Sequence, residues 1–129
     1  MRIYIDTEFT NFEAPSLISL ALIADTSPPS EFDGELVAGD YEISSCSNFV
    51  RKNVVPALGK RPDRVLKIEE LRSQVRTFVK QFAASDPIIS YDYPLGLGFF
   101  KAIVGDIPAG YDTKALEENP PKASSTNIF

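Results

Sequence analysis

Residues 2–8 read Arg-Ile-Tyr-Ile-Asp-Thr-Glu, and the interpretation of the whole chain starts from this stretch. Its apolar residues predict a short buried β-strand that ends in two carboxylates, Asp6 and Glu8. Because alternate residues of a strand share a face, both side chains are expected on one side of the sheet. Two carboxylates this close resist ionising together unless a cation lies between them, and a hard divalent ion is the simplest one. The alternative is a pair of solvated charges, since Asp-x-Glu is also frequent by chance.

The composition narrows the chemistry. The 129 residues fit a single domain, residues 1–129, which can bury a core without disulfides or metals. No histidine is present, so imidazole can serve neither as a base nor as a ligand. With the single cysteine, Cys46, expected only to pack as a small residue, zinc is effectively excluded. The groups that remain available for catalysis or ligand binding are carboxylates, hydroxyls, lysine and hard metal ions.

The formal net charge of −5 argues against binding nucleic acid through bulk charge. One basic cluster stands out, and we interpret most of it as a solvated helix face: Arg51, Lys52, Lys60, Arg61, Arg64 and Lys67. No apolar run approaches the roughly 20 residues of a membrane helix. Since the N-terminus is not signal-like, we expect a cytoplasmic protein with no membrane partner.

The pattern in the first third of the chain predicts strands. After a loop at residues 10–16, the apolar run at residues 17–24 predicts a strand antiparallel to the first and buried on both faces, with a buried helix as the competing interpretation. Weaker signals at residues 35–37 and 41–43 indicate short edge strands.

The pattern then changes to helices. Ser44 or Ser45 is expected to cap a helix that ends at Pro56. Residues 67–84 carry the clearest amphipathic stripe and predict a core-packing helix. Residues 95–104 predict another helix, and residues 114–118 at most a brief one.

Asp92 follows a short apolar strand at residues 86–91. Because a long helix precedes that strand, it should lie parallel to an earlier one. Asp92 would then sit at its carboxyl end, where parallel sheets place their sites. If the neighbour is the first strand, Asp92 joins Asp6 and Glu8.

Three motifs in this order carry a resemblance to a known family: Asp-Thr-Glu-Phe after the first strand, Leu-Ile-Ser-Leu-Ala in the second, and Ile-Ile-Ser-Tyr-Asp-Tyr in the later one. The chain resembles the 3′-5′ exonucleases of the ribonuclease H-like superfamily, called DEDD enzymes after four acidic metal ligands. It looks most like a small bacterial exoribonuclease-like branch, in which Cys46-Ser-Asn-Phe-Val-Arg and Val55-Pro also have counterparts. The resemblance covers roughly residues 1–105.

The resemblance implies that Asp6, Glu8 and Asp92 are metal ligands and catalytic residues. It further implies two Mg²⁺ or Mn²⁺ ions and a single-stranded RNA or DNA 3′ end as the substrate. Three carboxylates can hold at least one of these ions, because Mg²⁺ needs few protein ligands. Thr7 and Phe9 match substrate-binding positions. Phe9 is expected either beside the terminal nucleotide or in the core.

The third family motif, which supplies a histidine or tyrosine and the fourth aspartate, has no match in this chain. The remaining candidates for the fourth ligand are interpreted as solvated charges: Asp106, Asp112, Glu117 and Glu118.

The sequence therefore predicts an α/β fold, with a ribonuclease H-like mixed sheet of about five strands, antiparallel opening strands and flanking helices. The expected function is metal-dependent 3′-5′ hydrolysis of RNA or short single-stranded oligonucleotides. The alternative is a catalytically degenerate homologue that binds nucleic acid or a protein. A homo-oligomer would cover the apolar surface left by a missing terminal helix.

Overall fold

The structure, a computed structural model, describes residues 1–105, 107–108 and 110–115. Six strands in this part of the chain form one mixed sheet in the spatial order β4-β3-β2-β1-β5-β6. They are β1 (Arg2–Phe9), β2 (Leu17–Ala24), β3 (Ser30–Leu36), β4 (Val65–Leu66), β5 (Ile88–Tyr91) and β6 (Asp112–Ala115). The predicted α/β architecture with flanking helices is confirmed. This arrangement is compatible with a ribonuclease H-like fold and is not specific to it.

The opening strands form an antiparallel meander, as predicted. β1 pairs with β2, which places Ile5 opposite Leu22 and Asp6 opposite Ala21. Every residue of β2 except Ser19 is buried. The strand is therefore covered on both faces, and the alternative of a buried helix is wrong. β3 continues the meander on the far side of β2.

Three helices accompany the sheet: α1 (Asn48–Asn53), α2 (Ile68–Lys80) and α3 (Pro94–Val104). The predicted stripe on α2 is confirmed, since Leu71, Val75 and Val79 are almost fully buried. α2 lies close against β3, because a Cβ built on Gly34 would come within 2.8 Å of Leu71 Cδ1. α3 buries Phe100 completely in the same core.

Two predictions between the meander and α2 are wrong. The cap of α1 is neither Ser44 nor Ser45 but Ser47, whose hydroxyl accepts a hydrogen bond from the Val50 amide at 3.2 Å. The two earlier serines belong to a separate 3₁₀ turn, Ile43–Ser45. Residues 41–43 do not form a strand, because the chain turns at Gly39, which has a φ of +108°, and sends the Tyr41 ring into the core.

The C-terminal part of the described chain also departs from the prediction. Residues 114 and 115 belong to β6, which pairs in parallel with β5, whereas a helix was expected there. Tyr111 is buried just before this strand, and its hydroxyl donates a hydrogen bond to the Val79 carbonyl of α2. This anchor brings the segment beside the free edge of β5, where ladder hydrogen bonds outweigh a weak helix propensity. Residues 116–118 of the expected helix lie outside the described residues.

No helix in the described ranges has both the length and the apolar character needed to cross a membrane.

Candidate active site

The three predicted carboxylate ligands come from two neighbouring parallel strands. Asp6 and Glu8 lie near the end of β1, and Asp92 directly follows β5. The β1–β5 register pairs Ile5 with Tyr91, so Asp6 and Asp92 are the next residues along the two strands. The alternation of side chains puts Asp6 and Glu8 on one face of the sheet. Asp92 lies in the bend that follows β5, close enough for its charge to act on Asp6.

The charges of these three groups act on one another. The pKa of Asp6 is raised from 3.8 to about 7, first by burial and then by the negative charges of Glu8 and Asp92. A hydrogen bond from the Thr7 backbone amide lowers it in part. Burial also raises the pKa of Glu8. Without a cation, this end of the sheet therefore favours a protonated carboxyl group near neutral pH.

The chemistry of this donor set fits a hard divalent cation, which takes carboxylate oxygens as ligands. As the side chains stand, however, no three acidic or cysteine side chains in the described ranges converge closely enough to hold one ion. Asp92 is exposed, whereas Asp6 and Glu8 are half-buried. Mg²⁺ commonly keeps several waters and binds through one or two carboxylates, so two of these three acids would suffice to hold it with water completing the shell.

The other acidic candidates do not join this group. Asp112 is exposed in β6 and pairs with Ile88, which in turn pairs with Arg2 at the opposite end of β1. Asp112 is thus a surface charge remote from Asp6 along the strands, in agreement with its interpretation as solvated. Asp106, Glu117 and Glu118 lie outside the described residues.

Thr7 points to the other face of β1, toward α3. A Cβ built on Gly96 of α3 would lie 3.2 Å from Thr7 Oγ1 and 3.9 Å from Thr7 Cγ2. The first of these distances is shorter than ordinary van der Waals contact, so glycine lets the helix approach the strand here. This approach fixes α3 against the residue between the two β1 carboxylates.

Replacing two glycines of α3 should separate this packing effect from helix propensity. Gly98→Ala is expected to stabilise the fold by about 0.5–1 kcal/mol, because Gly98 is exposed and its Cβ would meet nothing within 4 Å. The free energy of unfolding of Gly96→Ala should be about 1–2 kcal/mol lower than that of Gly98→Ala, because the added methyl group crowds Thr7. Urea unfolding of both variants measures the difference. Adding Thr7→Ala to the Gly96→Ala variant should restore its stability, because the crowded side chain is removed. Equal stabilities of the two single variants would show that α3 does not approach Thr7 closely.

An aromatic cluster lies at the same ends of β1 and β5. Phe9 contacts the Phe99 ring of α3 with centroids 5.9 Å apart and the Phe12 ring edge-on at 5.1 Å. Phe12 also meets Tyr93 edge-on at 6.3 Å. Phe9 is only half-buried, so it is neither a plain core residue nor fully exposed. Sequence reasoning missed Phe12 and Tyr93, although Tyr93 directly follows Asp92.

Part of the basic cluster is structural. Arg61 NH1 lies 3.0 Å from Asp33 Oδ2, and Arg64 Nε lies 3.2 Å from Asp33 Oδ1. The Arg64 guanidinium also covers the Phe32 ring at 4.8 Å. These two arginines therefore tie the segment before β4 to β3, and they are not part of the solvated helix face that most of the cluster was expected to form.

Comparison of the chain with protein-family models and with curated proteins finds no match. The resemblance to the DEDD exonucleases thus stays a prediction from the motifs.

Proposed function

We propose that this protein is a metal-dependent 3′-5′ exonuclease-like hydrolase that acts on RNA or short single-stranded oligonucleotides. The observation that carries the proposal is the position of three acids at the adjacent ends of β1 and β5, where the charges of Glu8 and Asp92 both raise the pKa of Asp6. The repulsion between these negative charges is unfavourable without a cation, and a cation bound between the carboxylates would offset it.

The proposed roles follow from the chemistry of the side chains. Asp6, Glu8 and Asp92 would hold Mg²⁺ or Mn²⁺, with two ions in the full form of the site. When bound, such ions supply an activated water and stabilise the leaving 3′-oxygen of a phosphodiester. The burial of Asp6 and Glu8 limits competing solvation of their carboxylates, which strengthens their hold on a cation.

Turnover without a conventional general base is expected to be slow. The chain contains no histidine, and a positioned base commonly contributes about 10²–10⁴-fold to the rate. This absence favours a second candidate function, in which the protein binds single-stranded nucleic acid at the same ends of the sheet without cleaving it.

The deciding experiment uses a 5′-labelled single-stranded RNA with the full chain. With Mn²⁺ we expect a ladder of products shortened from the 3′ end, and with a chelator we expect intact RNA. Binding of the RNA without any shortening in Mn²⁺ would reject hydrolysis and support the second candidate. Shortening of the RNA that persists in the chelator would show that the activity does not require a metal ion.

A further inference from the structure

Two of the four large hydrophobic side chains exposed in the described ranges belong to the aromatic cluster. Phe12 is 69% exposed and Tyr93 is 57% exposed. Large aromatic rings are the side chains that most often anchor a ligand when they are left at the surface. Both rings lie at the ends of β1 and β5 that carry the proposed catalytic carboxylates, since Tyr93 directly follows Asp92 and Phe12 contacts Phe9 of β1.

The ring of Phe12 is held in place although it is exposed. It meets Phe9 at an interplanar angle of 87° and Tyr93 at 71°, so neither ring stacks parallel on it, and Phe12 stays 69% exposed. Its loop is pinned by Asn11, whose amide donates to the Ser45 carbonyl at 2.9 Å and whose side-chain oxygen accepts from the Ala14 amide at 2.7 Å. A flat ligand could thus stack on Phe12 with little further ordering of the protein.

The positive charge of Arg51 is held close to the loop that carries Phe12. Arg51 donates from its guanidinium to the Ser44 carbonyl at 2.8 Å, and the neighbouring carbonyl of Ser45 binds Asn11, the residue before Phe12. Arg51 is exposed. A flat aromatic surface with a cation nearby matches a base and its phosphate better than it matches an uncharged apolar peptide.

We propose that Phe12 and Tyr93, supported by Phe9, form a stacking platform for unpaired bases of single-stranded nucleic acid. The inference deepens the proposed function, on which it rests for the choice of ligand. The platform acts on bases of any sequence, because every base offers a π-face and no polar side chain of the platform reads a base edge. Bases in a duplex are already stacked, so the platform selects single strands.

The test measures fluorescence anisotropy of a short labelled RNA strand at low salt with a chelator present, so that no cleavage occurs. Phe12→Ala and Tyr93→Ala should each weaken binding about 5- to 100-fold, the range expected for loss of one base–aromatic contact. Phe12→Leu is the matched control for apolar surface and should weaken binding nearly as much as Phe12→Ala. Thermal unfolding of each variant verifies that it is folded.

A second probe isolates the bases. A strand of equal length with abasic sites keeps the phosphates, and we expect it to bind the parent protein at least as weakly as the intact strand binds Phe12→Ala. Equal binding of intact and abasic strands, or normal binding by Phe12→Leu, would overturn the platform. Metal-dependent shortening can fail while base-dependent binding persists, which would reject the hydrolase and leave the platform standing.

Discussion

Asp6→Asn is expected to make the metal-free protein more stable at pH 8 than the parent. The folded state holds the Asp6 proton up to a pKa of about 7, whereas the unfolded chain releases it near the ordinary value of 3.8. Between these values the folded state binds more protons, so the stability of the parent falls as the pH rises toward 7 and levels off above it. At about 1.4 kcal/mol per pKa unit the full shift corresponds to about 4 kcal/mol, and the partial exposure of Asp6 to water lowers the expected loss to the order of 2–4 kcal/mol. The raised pKa of Glu8 acts in the same direction.

Urea unfolding at pH 4 and pH 8 with a chelator present measures this effect. The stability difference between Asp6→Asn and the parent should grow by about 2–4 kcal/mol from pH 4 to pH 8. Asp112→Asn is the matched control, since it removes an exposed carboxylate at the other end of the sheet and should show no such growth. If the stability difference between Asp6→Asn and the parent does not change with pH, the fold does not raise the pKa of Asp6.

The same substitution should abolish the proposed activity. We expect Asp6→Asn, Glu8→Gln and Asp92→Asn each to slow metal-dependent shortening by more than about 100-fold, since even residues that only orient metal ligands are worth about 10–100-fold. Each substitution keeps the size of the side chain and removes a charged oxygen ligand. The readouts are the rate of product formation with Mn²⁺ and the rise in melting temperature that Mn²⁺ gives the parent.

Asp112→Asn serves again as the control and should keep both the rate and the Mn²⁺-dependent rise in melting temperature. All variants are purified by one procedure. Equal nuclease activity in every sample would then reveal a contaminating nuclease. If Asp92→Asn behaves like the parent while the two β1 variants do not, then Asp92 is a neighbour of the site and not a ligand.

Strong local patterns in the sequence predicted the centre of the fold. The apolar run of β2 and the stripe on α2 bury enough surface to decide their own structure, and the long helix before β5 requires a parallel strand. Strand polarity predicted that Asp92 lies at the carboxyl end of its strand, whereas the sequence left open which strand lies beside it, and the pairing of β1 with β5 supplies that answer.

Elements determined by distant contacts could not be predicted in this way. β4 has only two residues, Val65 and Leu66, which is too short for any periodicity, and the segment before it is joined to β3 by the arginines bound to Asp33. β6 depends on the anchor at Tyr111. Phe12 gave no signal because its role arises from ring contacts across a loop, and the incomplete convergence of the carboxylates depends on side-chain rotamers.

β1 pairs with β2 on one edge and with β5 on the other, and it carries both the first two acids and Phe9. Its backbone therefore cannot stretch or shift independently of the sheet. The spacing of Asp6, Glu8 and Phe9 along β1 is consequently set by the pairing of the sheet. Under the proposed function, this spacing would present each terminal phosphodiester bond to the acids in the same position, whatever the sequence of the bases.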